Sequence, residues 1–230
     1  GLAGICAAEL DGDGDIDLAV MSHYGNLAVL PNAGGGVFGA VSPLFAVLNG
    51  STKAIAIDPD GDGVMDLVHG SLSGNVVHRW RNQGEGAFTL STLAGGAGCC
   101  AVWAGDLDGY GDDDLVAINK DDNTVSVWLN LGDGEFSASE AFGAGYEPTV
   151  VCGGDFDGDG DVDLAIGSSG DKVVTVLLND GTGAFGGRVD YLVQSIATAL
   201  QPLDADGDGD LDLAVVRNST ALVILENLKK

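Results

Sequence analysis

Residues 155–163 read Asp-Phe-Asp-Gly-Asp-Gly-Asp-Val-Asp, with TVVCGG (149–154) before them and LAIGSS (164–169) after. VVTVLLN (173–179), the turn DGTG (180–183) and a run opening at Phe185 complete the stretch. Short β-prone runs separated by Gly, Asp and Asn clusters predict consecutive antiparallel strands, four in this stretch. No segment holds apolar residues at a sustained 3.6-residue period, so helix is expected nowhere.

The acidic nonapeptide recurs. Its copies start at Glu9, Asp58, Asp106, Asp155 and Asp204, at intervals of 48 or 49 residues. A period of that size signals a solenoid or a propeller. The five runs (9–17, 58–66, 106–114, 155–163, 204–212) hold 24 of the 35 Asp and Glu, and the other 11 face 9 Lys and Arg. The net charge of −26 is therefore local: a nearly neutral protein carries five knots of negative charge. Such knots call for cations. Nucleic acid is excluded as a partner, because phosphate contacts need clustered Lys and Arg. A chain of 230 residues, 45% hydrophobic and 19% charged, has ample material for a core and is no disordered acidic tail. No apolar run approaches the roughly 20 residues that span a bilayer as a helix, so no membrane insertion is expected. The sequence opens on Gly1 without a basic or long apolar leader, and reads as a mature or excised piece.

A second marker runs in phase with the first. Asn32, Asn82, Asn130, Asn179 and Asn227 each end a third strand, and Phe38, Phe88, Phe136 and Phe185 lie six residues beyond the first four. Asn and the following Gly suit a tight turn into a fourth strand. The Phe is expected to pack between neighbouring sheets. Small residues before the acidic loops (AGICAA, AVWAGD, VVCGGD) suit a crowded innermost strand. Four-stranded sheets of this length set around an axis are the blades of a β-propeller. The expected fold is all-β: one propeller domain over 1–230, five blades, the last lacking its fourth strand.

The acidic loops followed by Asp-Leu, in phase with LLN-x-G-x-G-x-F, resemble the FG-GAP/VCBS repeats of integrin-α-like β-propellers over essentially the whole chain. The resemblance implies a calcium ion in each loop between strands one and two. It also implies recognition at the cell surface or outside the cell, of the adhesion type, in a secreted protein. Propellers of the family often have seven blades, whereas five units are present here, and the last reaches Leu228-Lys229-Lys230 without a fourth strand. Either the five close a ring with an incomplete blade, or they are cut from a longer array; closure is the preferred reading.

The loop chemistry stands without the family. In D-x-D-x-D-G-x-x-D the side chains at positions 1, 3 and 5 can converge on one ion, Gly at position 6 permits the sharp turn, position 7 offers its carbonyl and position 9 a carboxylate. Oxygen donors without His or Cys favour calcium over zinc or copper. Unneutralised, such carboxylates repel one another. The candidate ligands are Glu9, Asp11, Asp13, Asp15 and Asp17 in the first loop, and Asp58, Asp60, Asp62, Val64 (by its carbonyl) and Asp66 in the second. The third offers Asp106, Asp108, Asp112 and Asp114; the fourth Asp155, Asp157, Asp159, Asp161 and Asp163; the fifth Asp204, Asp206, Asp208, Asp210 and Asp212. Tyr110 stands at position 5 of the third loop, which is expected to be the weakest site among four to five calcium ions.

The remaining chemistry is sparse. His23, His69 and His78 accompany no nucleophile motif, so no enzyme is expected. Cys6 and Cys152 occupy equivalent places in non-adjacent units and read as buried thiols, while Cys99-Cys100 could form a vicinal disulfide. Asn49-Gly-Ser51 and Asn218-Ser-Thr220 fit the N-glycosylation pattern. The 2–3 and 4–1 connections lie on the face opposite the acidic loops and vary in every unit, as recognition loops do. Tyr24, Lys120, Asn123, Tyr146 and Arg217 on that face are the candidate contacts. The expectation is a calcium-stabilised binding module for a carbohydrate or protein ligand. The alternatives are an accessory propeller of an extracellular enzyme and a structural segment of a larger adhesin.

Overall fold

The computed structural model describes residues 2–22, 26–44, 53–218 and 221–227, and among them the chain is all strand and turn. Blade 1 is β1 (Leu2–Ala8), β2 (Asp17–Ser22), β3 (Leu27–Leu30) and β4 (Ser42–Leu44). Blade 2 is β5 (Ala54–Ile57), β6 (Asp66–Ser71), β7 (Val76–Asn82) and β8 (Phe88–Ala94). Blade 3 is β9 (Cys99–Gly105), β10 (Asp114–Asn119), β11 (Thr124–Trp128) and β12 (Glu140–Gly143). Blade 4 is β13 (Pro148–Gly154), β14 (Asp163–Ser168), β15 (Val173–Asn179) and β16 (Phe185–Leu192). Blade 5 is β17 (Ala197–Leu203), β18 (Asp212–Arg217) and β19 (Ala221–Leu225). Each sheet is antiparallel in chain order, four strands in the first four and three in the last, as the sequence predicts.

Each acidic loop is the hairpin joining a first strand to a second, so its ninth residue opens the second strand: Asp163 pairs with Gly154 as β14 starts. The innermost strands are crowded. The ring of Trp103 on β9 lies across Gly153 of β13, where any Cβ would collide with it. That is the physical reason for a glycine at this place before the fourth loop. Strands β5, β9, β13 and β17 surround a central cavity of about 510 Å³ whose wall includes Ile55, Trp103, Val150 and Leu200.

Packing between sheets supplies the core. Four clusters fill the spaces between blades 1 and 2, 2 and 3, 3 and 4, and 4 and 5. Phe88, Phe136 and Phe185 each pack into the cluster shared with the preceding blade, as expected. Phe38, in the first blade, is 43% exposed.

The described residues do not make the preferred five-membered closure by themselves. Among the described residues no core joins blade 5 to blade 1, and β1 does not line the central cavity. The second strands record the same break. β6, β10 and β14 are buried along their whole length, sandwiched between neighbours, whereas β2 is fully buried only at alternate residues, on the side facing blade 2. Among the described residues the five sheets pack in succession, and the sequence pattern of one blade does not encode the angle to the next.

Candidate metal centres

The first carboxylate of each loop organises the turn. In the fourth loop Asp155 Oδ1 accepts the N–H of Gly158 at 2.6 Å and Oδ2 that of Gly160 at 3.0 Å. Asp106 and Asp204 repeat both bonds, and Glu9, one methylene longer, reaches Gly12 at 2.7 Å and Gly14 at 2.6 Å. Gly160 sits at φ 100°, the left-handed turn position that the sixth residue requires. In the first and fifth loops the position-3 and position-5 carboxylates accept the N–H two residues on, and in the fourth Asp159 does so from Asp161 at 3.0 Å.

The ninth residue is the buried anchor. Asp17, Asp66, Asp114, Asp163 and Asp212 are each 0–1% exposed. Asp163 Oδ2 accepts the N–H of Phe156 at 2.9 Å, and Oδ1 that of Asn179 at 2.9 Å, so one carboxylate ties the loop to the end of the third strand. Asp17, Asp114 and Asp212 do the same. Burial, opposed by these hydrogen bonds, pushes the carboxyls of Asp114 and Asp163 up to about 6. A cation is therefore what the ionised form lacks.

Carboxylate oxygens converge in all five loops: Glu9, Asp11 and Asp13; Asp58, Asp60 and Asp62; Asp106, Asp108 and Asp114; Asp155, Asp157 and Asp163; Asp204, Asp206 and Asp212. Within each trio the oxygens lie within 4.8 Å of one another. An all-oxygen, carboxylate-rich donor set fits a hard divalent cation. The third loop keeps a trio although the Tyr110 ring is 85% exposed and takes no part. Asp15, Val64, Asp112, Asp161 and Asp210 fall outside the trios, and so do Asp17, Asp66, Asp159 and Asp208; Asp210, among neighbouring carboxylates, is pushed up to about 6, with desolvation as the largest cause.

Two features escaped the sequence reading. The recurrent Asn is more than a turn residue: its amide crosses to the preceding blade's acidic loop. Asn82 Nδ2 donates to Leu10 O at 2.8 Å, Asn130 to Pro59 O at 2.8 Å, Asn179 to Leu107 O at 2.7 Å and Asn227 to Phe156 O at 2.9 Å. All five also donate to a carbonyl of their own blade, Asn32 to Ile16 O at 3.0 Å for instance. The 71- and 72-residue separations of these bonds were open to detection as a fixed offset between the two markers. The second feature is a pair of arginines. Arg79 meets the buried Asp66 at 2.6 Å, donates also to Gly134 O of blade 3 and lies 5.6 Å from the Phe136 ring centroid; Arg81 meets Asp60 at 2.6 Å. Two carboxylates of the second loop thus carry their own counter-charges.

Four overlapping matches to the FG-GAP-like repeat cover residues 10–69, 58–117, 106–166 and 155–215. The chain belongs to the FG-GAP-like repeat family. No curated protein sequence matches it. Among solved structures, an Agrocybe aegerita lectin described as specifically recognising non-reducing terminal N-acetylglucosamine is similar at 21% identity and a TM-score of 0.63, over 97% of this chain and 65% of the lectin. BBS1N, solved in complex with ARL6DN, is similar at 14% identity and a TM-score of 0.64, over 99% of this chain and 64% of that one. This FG-GAP-repeat chain thus spans just under two thirds of either neighbour, and the likeness is one of fold.

The opposite face of the FG-GAP blades is knitted by loop-to-loop bonds. Asn123, at φ 59°, accepts the N–H of Glu147 through Oδ1 at 2.8 Å, and Arg217 donates to Val193 O at 2.9 Å. Lys120 is half-buried, its N–H donating to Gly98 O at 3.1 Å. Tyr146 is 58% exposed, with its ring laid against Gly170 and its N–H donating to Asp171 Oδ2 at 2.9 Å. Tyr24 and His23, and the sequon residues Asn49–Ser51 and Ser219–Thr220, lie outside the described residues. All four cysteines are free thiols, so the vicinal bond is not formed. Burial pushes the Cys99 and Cys152 thiols up to about 12.

Proposed function

We propose that this protein is a calcium-stabilised, non-catalytic recognition module, secreted or displayed at the cell surface, that binds a carbohydrate or a protein ligand through its 2–3 and 4–1 loops. The observation that carries the reading is the division of labour between the two faces. One holds five convergent carboxylate trios. The other presents an exposed tyrosine, Tyr146, braced on Gly170 and ringed by hydrogen-bonded loops. A rigid aromatic surface with polar groups around it suits a sugar ring or a protein partner, since little entropy is lost when it binds. The lectin neighbour favours a glycan, and a glycan array probed with the labelled protein in calcium is the test.

Calcium, when bound, would neutralise the loops and hold two strands of each blade together. Asp155, Asp157 and Asp163 would hold it in the fourth loop, with Asp159 and the carbonyl of Asp161 completing the set. Lys120, Asn123 and Arg217 would shape the loop face while Tyr146 makes contact. Tyr146→Ala is expected to abolish array signals with the melting temperature unchanged. Equal loss of stability would show that Tyr146 packs and does not recognise.

A further inference from the structure

We propose that the central cavity holds a small organic ammonium ion, its charge on Asp113 and its apolar body against Trp103. The cavity, about 510 Å³, is of the size that takes a small molecule. Asp113 lines it from the third acidic loop, in company with Ile57 of blade 2, Trp103 of blade 3 and Val151 of blade 4. Each of these three blades packs against a neighbour on both sides, so this end of the cavity owes nothing to the first or the last blade.

Asp113 is out of pattern. The eighth residue of the other loops is apolar (Ile16, Met65, Val162 and Leu211), and Met65 and Val162 pack against interblade cores. Asp113 is half-buried in that place, within the field of Asp58 and Asp106, and enters none of the described ion pairs. It lies outside the trio of Asp106, Asp108 and Asp114, so an ion held there does not engage it. The wall offers it no partner either. Thr149 and Thr198 spend their hydroxyls on Gly167 O at 3.3 Å and Val216 O at 3.2 Å. Lys53 stands before the four residues of β5, which at about 3.3 Å each set it roughly 13 Å from the loop that follows. Trp103 supplies the second half of the site. Its indole reaches along β9 over Gly105 and across to Gly153, where a Cβ at either glycine would collide with it. The ring is thus fixed toward the loop end of the cavity, where Asp113 stands. An indole face beside a carboxylate suits an ammonium group on an apolar body, because ring quadrupole and negative charge both attract it. An anion would be repelled by Asp113, and a neutral ligand would leave that half-buried charge without a partner.

The site shares no residue with the loop face and stands whether or not that face recognises a glycan. The probe is 2-phenylethylamine, a cation at neutral pH, titrated calorimetrically into the 230-residue protein in calcium, with 2-phenylethanol as its neutral counterpart. Saturable one-to-one binding of the amine is expected, about ten-fold tighter than that of the alcohol, as a hydrogen bond to a charged group is worth. Asp113→Asn should remove that preference while leaving the number of calcium ions unchanged. Asp113→Val, which installs the residue of the fourth loop, is expected to melt no lower than the parent and to lose the preference as well. That separates loss of the site from unfolding. Absence of amine binding, equal affinity for amine and alcohol, or an undiminished preference in Asp113→Asn overturns the proposal. So does the loss of a calcium ion in Asp113→Asn, since Asp113 would then be a ligand of the loop.

Discussion

VVHRWRN (76–82) and VVTVLLN (173–179) are the third strands of blades 2 and 4, and they run in the same register against their own second strands. Blade 4 places Val176 and Leu178 where blade 2 places Arg79 and Arg81. The fourth loop consequently faces no arginine from its third strand, and its anchor Asp163 is pushed up to about 6 by burial. The second loop answers the same repulsion from within, with Arg79 on Asp66 and Arg81 on Asp60. Two members of one repeat family therefore differ in how much of their negative charge is neutralised from within the chain. The motif alone does not reveal this, because both loops satisfy it.

The largest expected effect is the loss of calcium. An ion that binds the folded state alone adds RT ln(1 + [L]/Kd), about 2.7 kcal/mol per site at 100 times Kd. Four or five such sites rival the whole stability of an ordinary domain, about 5–15 kcal/mol. Chelator should lower the melting temperature by tens of degrees, with blades 3 to 5 losing hydrogen-exchange protection before blade 2. Identical melting in calcium and in chelator would sink the assignment of these loops as metal sites.

Next in size is Arg79→Val, which gives blade 2 the residue of blade 4. Removing one member of a buried ion pair costs about 3–5 kcal/mol, because the other charge is left uncompensated. Urea unfolding in chelator should show that cost, and calcium should recover part of it by taking over Asp66. A variant as stable as the parent in chelator would mean that the pair contributes nothing net.

A third difference is the histidine pair of blade 2. His69 and His78 face each other across β6 and β7 with ring centroids 5.0 Å apart, and burial lowers His69 to about 4. A folded pKa below the unfolded value of about 6.5 leaves stability intact above pH 6.5 and removes it as the pH falls toward 4. Each pH unit that separates the folded from the unfolded value is worth about 1.4 kcal/mol, so the loss reaches about 3 kcal/mol at the acid end. Asp114 and Asp163, whose carboxyls are raised, contribute with the opposite sign, their share being present at low pH and lost as the pH rises through about 6. Urea midpoints between pH 7 and 4.5 should therefore fall less steeply for His69→Ile than for the parent. Parallel curves would remove His69 from the account.

The smallest expected effects sharpen the comparison at single sites. Asp159→Ala should delete one ion from a calcium titration, since it removes the position-5 carboxylate from a loop whose third strand offers no arginine in compensation. Arg81→Leu should change stability in chelator by less than about 1 kcal/mol, because its side chain is 43% exposed and exposed pairs contribute little. It should nevertheless tighten calcium binding at the second loop by freeing Asp60. If Arg81→Leu leaves the titration unchanged, the internal counter-charge does not compete with the ion.

The repeat, the blade and the acidic trios were all legible in the chain, because turn chemistry and carboxylate spacing act within about ten residues. The position-1 and position-9 residues Asp155 and Asp163 fell where the spacing put them, at the two ends of one hairpin loop. Asn179 was legible as a turn residue, yet its bond to Leu107 O spans 72 residues and exists only once two blades are packed. Arg79 carried no signal of its own in the sequence, and its partners Asp66 and Gly134 come from two different blades.

By itself the sequence determined the five-fold repeat, the all-β blades with three strands in the last and the places where negative charge collects. Each of these follows from local backbone preference and from residues already neighbours along a hairpin. Tertiary structure alone decided how the blades pack against one another and which loop supplies its own cations. Those outcomes depend on the angle between stacked sheets and on side chains meeting across an interface. In this chain that packing sets Phe88, Phe136 and Phe185 against the preceding blade and leaves Phe38 43% exposed.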